Sequence, residues 1–510
     1  MYGEEKSDSL IVAANLANNP QGAESVERRS GAKGNAEQPH MRRTQSRESM
    51  SQRLSRVREA AKQRKKERFT ALFHLLTAEA LENAFLSLSR KAAAGVDGVR
   101  WKDYAENLKV NIAELHRRLH QGSYRAQPGR RHYIPKADGK QRPLGIASLE
   151  DKIVQYALVK ILNAVYENDF MGFSYGFRPG RSQHNALDAL ATGLVRTNVN
   201  WVLDADISQF FDKVSHEWLI RFIEHRIGDQ RVIRLIRKWL TAGTSEEGEW
   251  RASEEGEWRA SEEGEWRASE EGTPQGAVIS PLLANIYLHY VFDLWAHQWR
   301  RRHATGNVVM VRYADDIVIG FDKRIDAQCF RIAMQRRLKE FGLTVHPKKT
   351  RLTEFGRFAA ENRASRGKGK PETFNFLGFT HISGKDRSGR FMLIRKTRRD
   401  RMTATLKAIK DGLRKRWHYS IPEQGKWLRR VVQGYLNYHS VPGNYPMMRK
   451  FRIYVTDLWR RALRRRSQQD DTTWTKANRL AAVWLPKVRV LHPWPVERFT
   501  ARHPRQEPGA

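Results

Sequence analysis

The sequence predicts an α+β fold built on an antiparallel sheet and followed by a basic helical region. Three observations predict it. Between Gly95 and about Ser383, short β-rich runs alternate with amphipathic helical segments. Inside that span two apolar runs flank the pair Asp315-Asp316, the pattern of a β-hairpin. From Arg390 to Ser467 the chain carries 22 Lys and Arg against 4 Asp and Glu, with Trp427, Val431, Tyr435 and Tyr438 at helical spacing.

Taken in order, residues 1–60 read as a disordered, basic N-terminal extension, at least to about Pro39, because large apolar residues are few. A helical pattern takes over from Ser51 to Leu88 through Leu54, Ala61, Phe69, Leu72, Phe73, Leu76, Leu81 and Phe85. The run Arg64 to Arg68 lies on or beside that helix, as a solvated face or an RNA-contacting arm. Val202-Leu203 and Val308 to Val311 read as strands, and Ile153 to Tyr166 and Ile279 to Trp299 as helices. Between Ser245 and Ala268 the octapeptide Ser-Glu-Glu-Gly-Glu-Trp-Arg-Ala occurs three times, with a partial copy to Gly272. A period of eight is too short for a solenoid, so the block 245–272 reads as an extended hairpin or loop inserted in the domain. Added loop length costs little entropy.

Composition narrows the function. Net charge is +36, from 92 Lys and Arg against 56 Asp and Glu, which calls for a polyanionic partner. No apolar run reaches about 18 residues and no signal-peptide pattern is present, against a membrane role. The 40% apolar content implies substantial cores, more than a ribosomal-type protein needs. Cys329 is the only cysteine, which excludes disulfides and Cys-based zinc sites within one chain. A metal here sits on carboxylates, and the expected compartment is the cytoplasm.

The carboxylates come from two segments. Trp201 to Ile207 is a β-type run ending in Asp204 and Asp206, followed by Phe210-Phe211-Asp212; Met310 to Ile319 carries Asp315 and Asp316 in the turn of the hairpin. Adjacent acids held between apolar strands are costly unless a cation neutralises them. Nucleotidyl transfer needs oxygen ligands for two Mg²⁺ ions about 4 Å apart, and Mg²⁺ takes carboxylates, water and substrate phosphate. Asp206 and Asp315 are the expected ligands, with Asp316 as a third and the Ile207 carbonyl as a further oxygen. Asp204 shares a strand face with Asp206 and competes for the assignment.

At these residues the chain resembles the reverse transcriptases of group II introns. Tyr313-Ala314-Asp315-Asp316 looks like the family's catalytic turn, and Asp206-Ile207 with Phe210-Phe211-Asp212 its first acidic motif. The most specific string, Gly272 to Asn285, resembles the segment packed against the nascent base pair. The resemblance implies a right-hand polymerase, with residues 61–385 as fingers and palm and 386–468 as an α-helical thumb or maturase domain. It implies that Phe211 is the steric gate against a 2′-hydroxyl and that Gln275 and Gly276 lie near the incoming nucleotide. Lys136 and Arg142, in a segment like the finger hairpin, would hold the triphosphate. Lys349, in a segment like the later palm motif, would protonate the leaving pyrophosphate. Tyr175 to Ser182 matches a motif that shapes the template path, and Phe374 to Phe379 resembles the primer grip.

The basic helical region agrees with the maturase role implied for it, and its expected RNA contacts are Arg398, Arg399, Lys415, Arg416, Arg429, Arg430, Arg464, Arg465 and Arg466. The implied activity is copying of intron RNA into DNA with help to intron splicing; the partners are intron RNA, an RNA template, a DNA primer and deoxynucleoside triphosphates. Residues 469–510 form a tail without the Cys pairs of the HNH endonuclease found in many relatives, so the expectation is priming from another DNA end. Two alternatives stand beside this reading: an RNA-binding splicing factor on a decayed polymerase, and a domesticated enzyme of antiviral defence.

Overall fold

The computed structural model describes residues 37–135, 141–246, 265–267, 271–466 and 472–502. Its strands are β1 (Gly129–Pro135), β2 (Gln141–Ile146), β3 (Trp201–Asp206), β4 (Thr244–Glu246), β5 (Glu265–Arg267), β6 (Val308–Tyr313), β7 (Asp316–Phe321), β8 (Arg351–Glu354), β9 (Thr373–Phe376), β10 (Phe379–Lys385) and β11 (Phe391–Thr397). They form three sheets with the orders β2-β1-β4-β5, β6-β7-β3-β8 and β11-β10-β9. The second sheet is antiparallel throughout, as expected. The first departs from that pattern where β1 runs parallel to β4.

Sequence composition explains the second sheet. β6 and β7 are apolar on both faces and buried along almost their whole length, so helices must cover both sides. Leu149–Tyr166, Gln183–Arg196 and Ser280–Leu288 contribute most of their side chains to that core. Ser148 and Ser182 cap the first two helices through their hydroxyls. The expected helix from Ile279 to Trp299 is present but contains a π-helical turn at His289–Asp293 between Ser280–Leu288 and Leu294–His303. A separate core lies in the helices Arg399–Lys415, Ile421–His439, Tyr445–Arg464 and Trp474–Trp484.

Two expectations for the N-terminal part change. Helix Glu37–Gln63 begins inside the stretch 1–60 read as disordered. Met50, Leu54 and Val57 recur at helical spacing and pack on the main core, and Ala61 is fully buried. The expected continuous helix from Ser51 to Leu88 is broken after Gln63 and resumes at Ala78–Ser87. Arg64 to Arg68 therefore lie beside the helix, not on it. The octapeptide block keeps a hairpin at its base, where β4 and β5 pair antiparallel. Residues 247–264 lie outside the described residues. No described helix is long and apolar enough to cross a membrane.

Candidate active site

The acids meet where β3, β7 and the β6–β7 turn come together. In the β3–β7 register Asp206 faces Asp316, and in the β6–β7 register Tyr313 faces Asp316. The turn is therefore the two residues Ala314 and Asp315, with Asp316 already the first residue of β7. The sequence pattern predicts both acids in the turn; the Tyr313–Asp316 pairing leaves only Asp315 there. Ala314 has φ +56°, a left-handed backbone that costs a residue with a Cβ of the order of 1 kcal/mol.

Burial and mutual repulsion set the chemistry of these groups. Burial, then the charges of Asp315 and Asp206, pushes the Asp316 carboxyl up to about 7. Burial, then Asp316 and Asp206, does the same for Asp204. Asp315 is raised chiefly by burial, against the nearby Arg142 and Lys349 cations. Lys349 Nζ donates to Asp206 Oδ2 at 2.8 Å, so an ammonium stands against one of the acids. His346 N donates to the Asp206 carbonyl and Ser208 N to that of Thr344. In an antiparallel ladder this turns the intervening Ile207 carbonyl away from that neighbour, toward the side on which β7 pairs.

A buried arginine holds the turn. Arg312 is fully buried, and its guanidinium donates to Asp293 Oδ1 and Oδ2 at 2.7 and 2.6 Å. It also reaches Asn285 Oδ1 at 3.1 Å, Ser174 Oγ at 2.7 Å and the Ala314 carbonyl at 2.9 Å. Asn285 in turn donates to the Gly176 carbonyl at 2.8 Å. A Cβ on Gly176 would lie 2.3 Å from Ala314 N, so only glycine lets this loop approach the turn. Gly176, Asn285, Ala314 and Arg312 lie in motifs named above, but the sequence pattern alone gives none of them this anchoring role, and Asp293 and Ser174 lie in none. The signal was available: Arg312 interrupts an apolar strand and Asp293 an apolar helix, and buried charges of this kind occur in pairs.

A cleft of about 1010 Å³ opens over the acids. Asp204, Asp206, Asp315, Asp316, Lys349, Arg142 and Arg398 line it together. Phe211, Gln275 and Gly276 are not among the residues lining it; they sit on two segments tied by backbone contacts, the turn after β3 and the loop before Ser280–Leu288. Thr273 N donates to the Phe211 carbonyl at 2.7 Å, and Gly145 N to that of Gln275 at 2.7 Å. Gln275 Nε2 donates to Asp212 Oδ1 at 3.1 Å. Gly276 has φ +113°, and a Cβ there would meet the Gly145 carbonyl at 2.9 Å. Lys136 lies outside the described residues.

The basic residues from Arg398 onward divide by what they touch. Arg398 pairs with Asp400 at the cleft edge. Arg416 stacks over Trp427 and donates to the Gly412 carbonyl, Arg429 donates to the Val483 and Trp484 carbonyls, and Arg466 to that of Tyr419. These three tie helices together. Arg399, Lys415, Arg430, Arg464 and Arg465 project outward.

Among the described residues no three His, Cys, Asp or Glu side chains already converge as ligands of one ion. Asp206 turns to Lys349 instead. The donor set still fits a hard divalent cation. It is all oxygen, and the charges of Asp206 and Asp315 raise the Asp316 carboxyl, a conflict a cation removes. Asp206, Asp315, Asp316 and the Ile207 carbonyl are the groups that would hold it.

The family described as reverse transcriptase (RNA-dependent DNA polymerase) matches residues 134–381, which span the acids and the cleft floor. The chain is 39% identical over 222 residues to Protein YkfC of Escherichia coli K12, covering 42% of this chain and 54% of that one. It is 35% identical over 239 residues to the group II intron-encoded protein LtrA of Lactococcus lactis, covering 46% of this chain and 37% of LtrA. Residues 134–381 thus carry a reverse transcriptase domain, and the chain is similar to group II intron-encoded proteins. A protein in a cob intron of Schizosaccharomyces pombe is 38% identical over 188 residues, covering 37% of this chain and 21% of its own length. The chain spans about half or less of the length of each of these relatives.

Proposed function

We propose that this protein is an RNA-directed DNA polymerase of a group II intron, copying intron RNA into DNA and assisting the intron's splicing as a maturase. The observation that supports this most is the register placing Asp206 opposite Asp316, one residue from Asp315, in a cleft shared with Arg142 and Lys349. In this reading the sheet of β1 and β2 is the fingers, the sheet of acids the palm and the helices from Arg399 the thumb. When bound, two Mg²⁺ ions on Asp206, Asp315, Asp316 and the Ile207 carbonyl would activate the primer 3′-hydroxyl and neutralise the triphosphate. Arg142, and Lys136 with it, orients the deoxynucleoside triphosphate. Phe211 occupies the space a 2′-hydroxyl needs, while Gln275 and Gly276 bound the nascent base pair. Lys349 stands within reach of the departing pyrophosphate and can give it a proton. The outward arginines and lysines of the thumb hold intron RNA by its phosphates.

Primer extension on an RNA template with deoxynucleotides and Mg²⁺ tests the reading. Asp206→Ala and Asp315→Ala are expected to lower extension by about a thousandfold or more, with RNA binding kept. A folded, RNA-binding wild type that extends nothing would leave only the splicing role.

A further inference from the structure

A second cavity lies away from the cleft, between helices Arg399–Lys415 and Tyr445–Arg464. Leu413, Trp417, Leu458 and Ala462 form its walls, and Lys410, Arg414, Arg461 and Arg465 its rim. Its volume is about 110 Å³, far too small for a helix or a strand. Trp417 follows the first helix, and its Nε1 donates to the Ala462 carbonyl on the second at 3.1 Å. The bond satisfies the only donor of the indole and fixes the ring across the gap, yet 36% of Trp417 stays exposed.

Charge selects the occupant. Arg461 pairs with Asp457 at 2.7 Å. Lys410, Arg414 and Arg465 have no ion pair among the described residues, and no carboxylate lines the cavity. Such a site is relieved by a ligand with a flat apolar body and an anion on each side of it. A nucleotide within an RNA strand has that form, and stacking on an aromatic ring is how unpaired bases are held. We propose that this cavity seats one unstacked base of a bound RNA, its ring against Trp417 and its flanking phosphates on Lys410, Arg414 and Arg465. The inference rests on the RNA-binding reading above and adds to it a defined subsite for a bulged or looped-out base.

The test uses the full chain and an RNA hairpin carrying 2-aminopurine as a single-nucleotide bulge. Wild type and Trp417→Phe quench the 2-aminopurine on binding. Trp417→Ala loses the quench and binds about tenfold or more weakly, at a melting temperature close to wild type. Lys410→Gln with Arg414→Gln keeps the quench but lowers the slope of log affinity against log salt by about two. Leu458→Trp, which fills the cavity without removing a charge, also loses the quench. Equal quenching by wild type and Trp417→Ala would overturn the subsite while leaving RNA binding intact. Absence of any RNA binding by folded wild type would instead sink the maturase reading.

Discussion

Arg312 carries more of the site than any acid-to-acid contact. Phe177, Gln209, Ala314 and Leu377 are the non-glycine residues with left-handed backbone among the described ones, and Phe177, Ala314 and Leu377 line the cleft. Strain of this kind costs about 1–3 kcal/mol per residue and persists only where surrounding bonds enforce it. At Ala314 the enforcing bond is the one from Arg312. Arg312→Met should therefore cost about 3–5 kcal/mol, since it leaves Asp293 buried and unpaired. Arg312→Met with Asp293→Leu should recover most of that stability, because an apolar pair can replace a buried ion pair. Primer extension should stay low in the double variant, since the Ala314 carbonyl, Ser174 and Asn285 have still lost their donor. Denaturant midpoints and extension rates measured together decide it. A double variant that regains both would make Arg312 a stability residue alone.

Elements whose reasons are local were readable in the sequence. β3, the β6–β7 hairpin and Leu149–Tyr166 follow from period and apolar content, and the acids were found because they end such runs. What was not readable depends on distant partners. The helix expected over Ser51–Leu88 breaks because Leu72 N and Phe73 N both donate to Asp229 Oδ2 at 2.8 Å, more than 150 positions away. Phe69 likewise forms a bridge with Ile227. The octapeptide hairpin offers a test at this scale. Glu246 pairs with Glu265, the fifth residue of the third copy, and Glu249 holds the same place in the first copy. Deleting residues 253–268 therefore preserves every pair at the hairpin base, with Glu247-Gly248 as a two-residue loop. Shortening the loop this far should stabilise the hairpin by no more than about 2 kcal/mol. The melting temperature should hold or rise slightly. Collapse of the fold after the sixteen-residue deletion would mean that the repeats contribute more than length.

At the scale of the whole molecule, the C-terminal helix ties the helical bundle back to the sheet of acids. In Pro495–Arg502, Arg498 pairs with Asp188 of the helix Gln183–Arg196, and Arg196 Nη2 donates to Thr500 Oγ1 at 3.1 Å. Phe499 is buried in the main core. Asp188 also faces Arg395 of β11 at 3.6 Å, and Arg395 stands opposite His381 in the β10–β11 register. His184 stacks on His492 with ring centres 3.9 Å apart, beside Arg498 and Arg395. This junction is buried and rich in cations, with Asp188 as the carboxylate between the two arginines. Burial, then the charge of Arg395, holds the His381 imidazole down at about 3; burial, then His492 and the arginines, does the same for His184. A histidine whose folded pKa lies below its unfolded value of about 6.5 binds more protons when unfolded, so its contribution is complete above that value and is lost as pH falls below it. For His381, fully buried, the loss on going from pH 7.5 to pH 5 is about 2 kcal/mol. His381→Phe removes the titrating group and keeps a ring to stack on Phe374, whose ring lies 4.7 Å away. The urea midpoint of wild type should fall between those pH values, and that of His381→Phe should fall by measurably less. Equal falls in the two proteins would place the acid sensitivity elsewhere in the molecule.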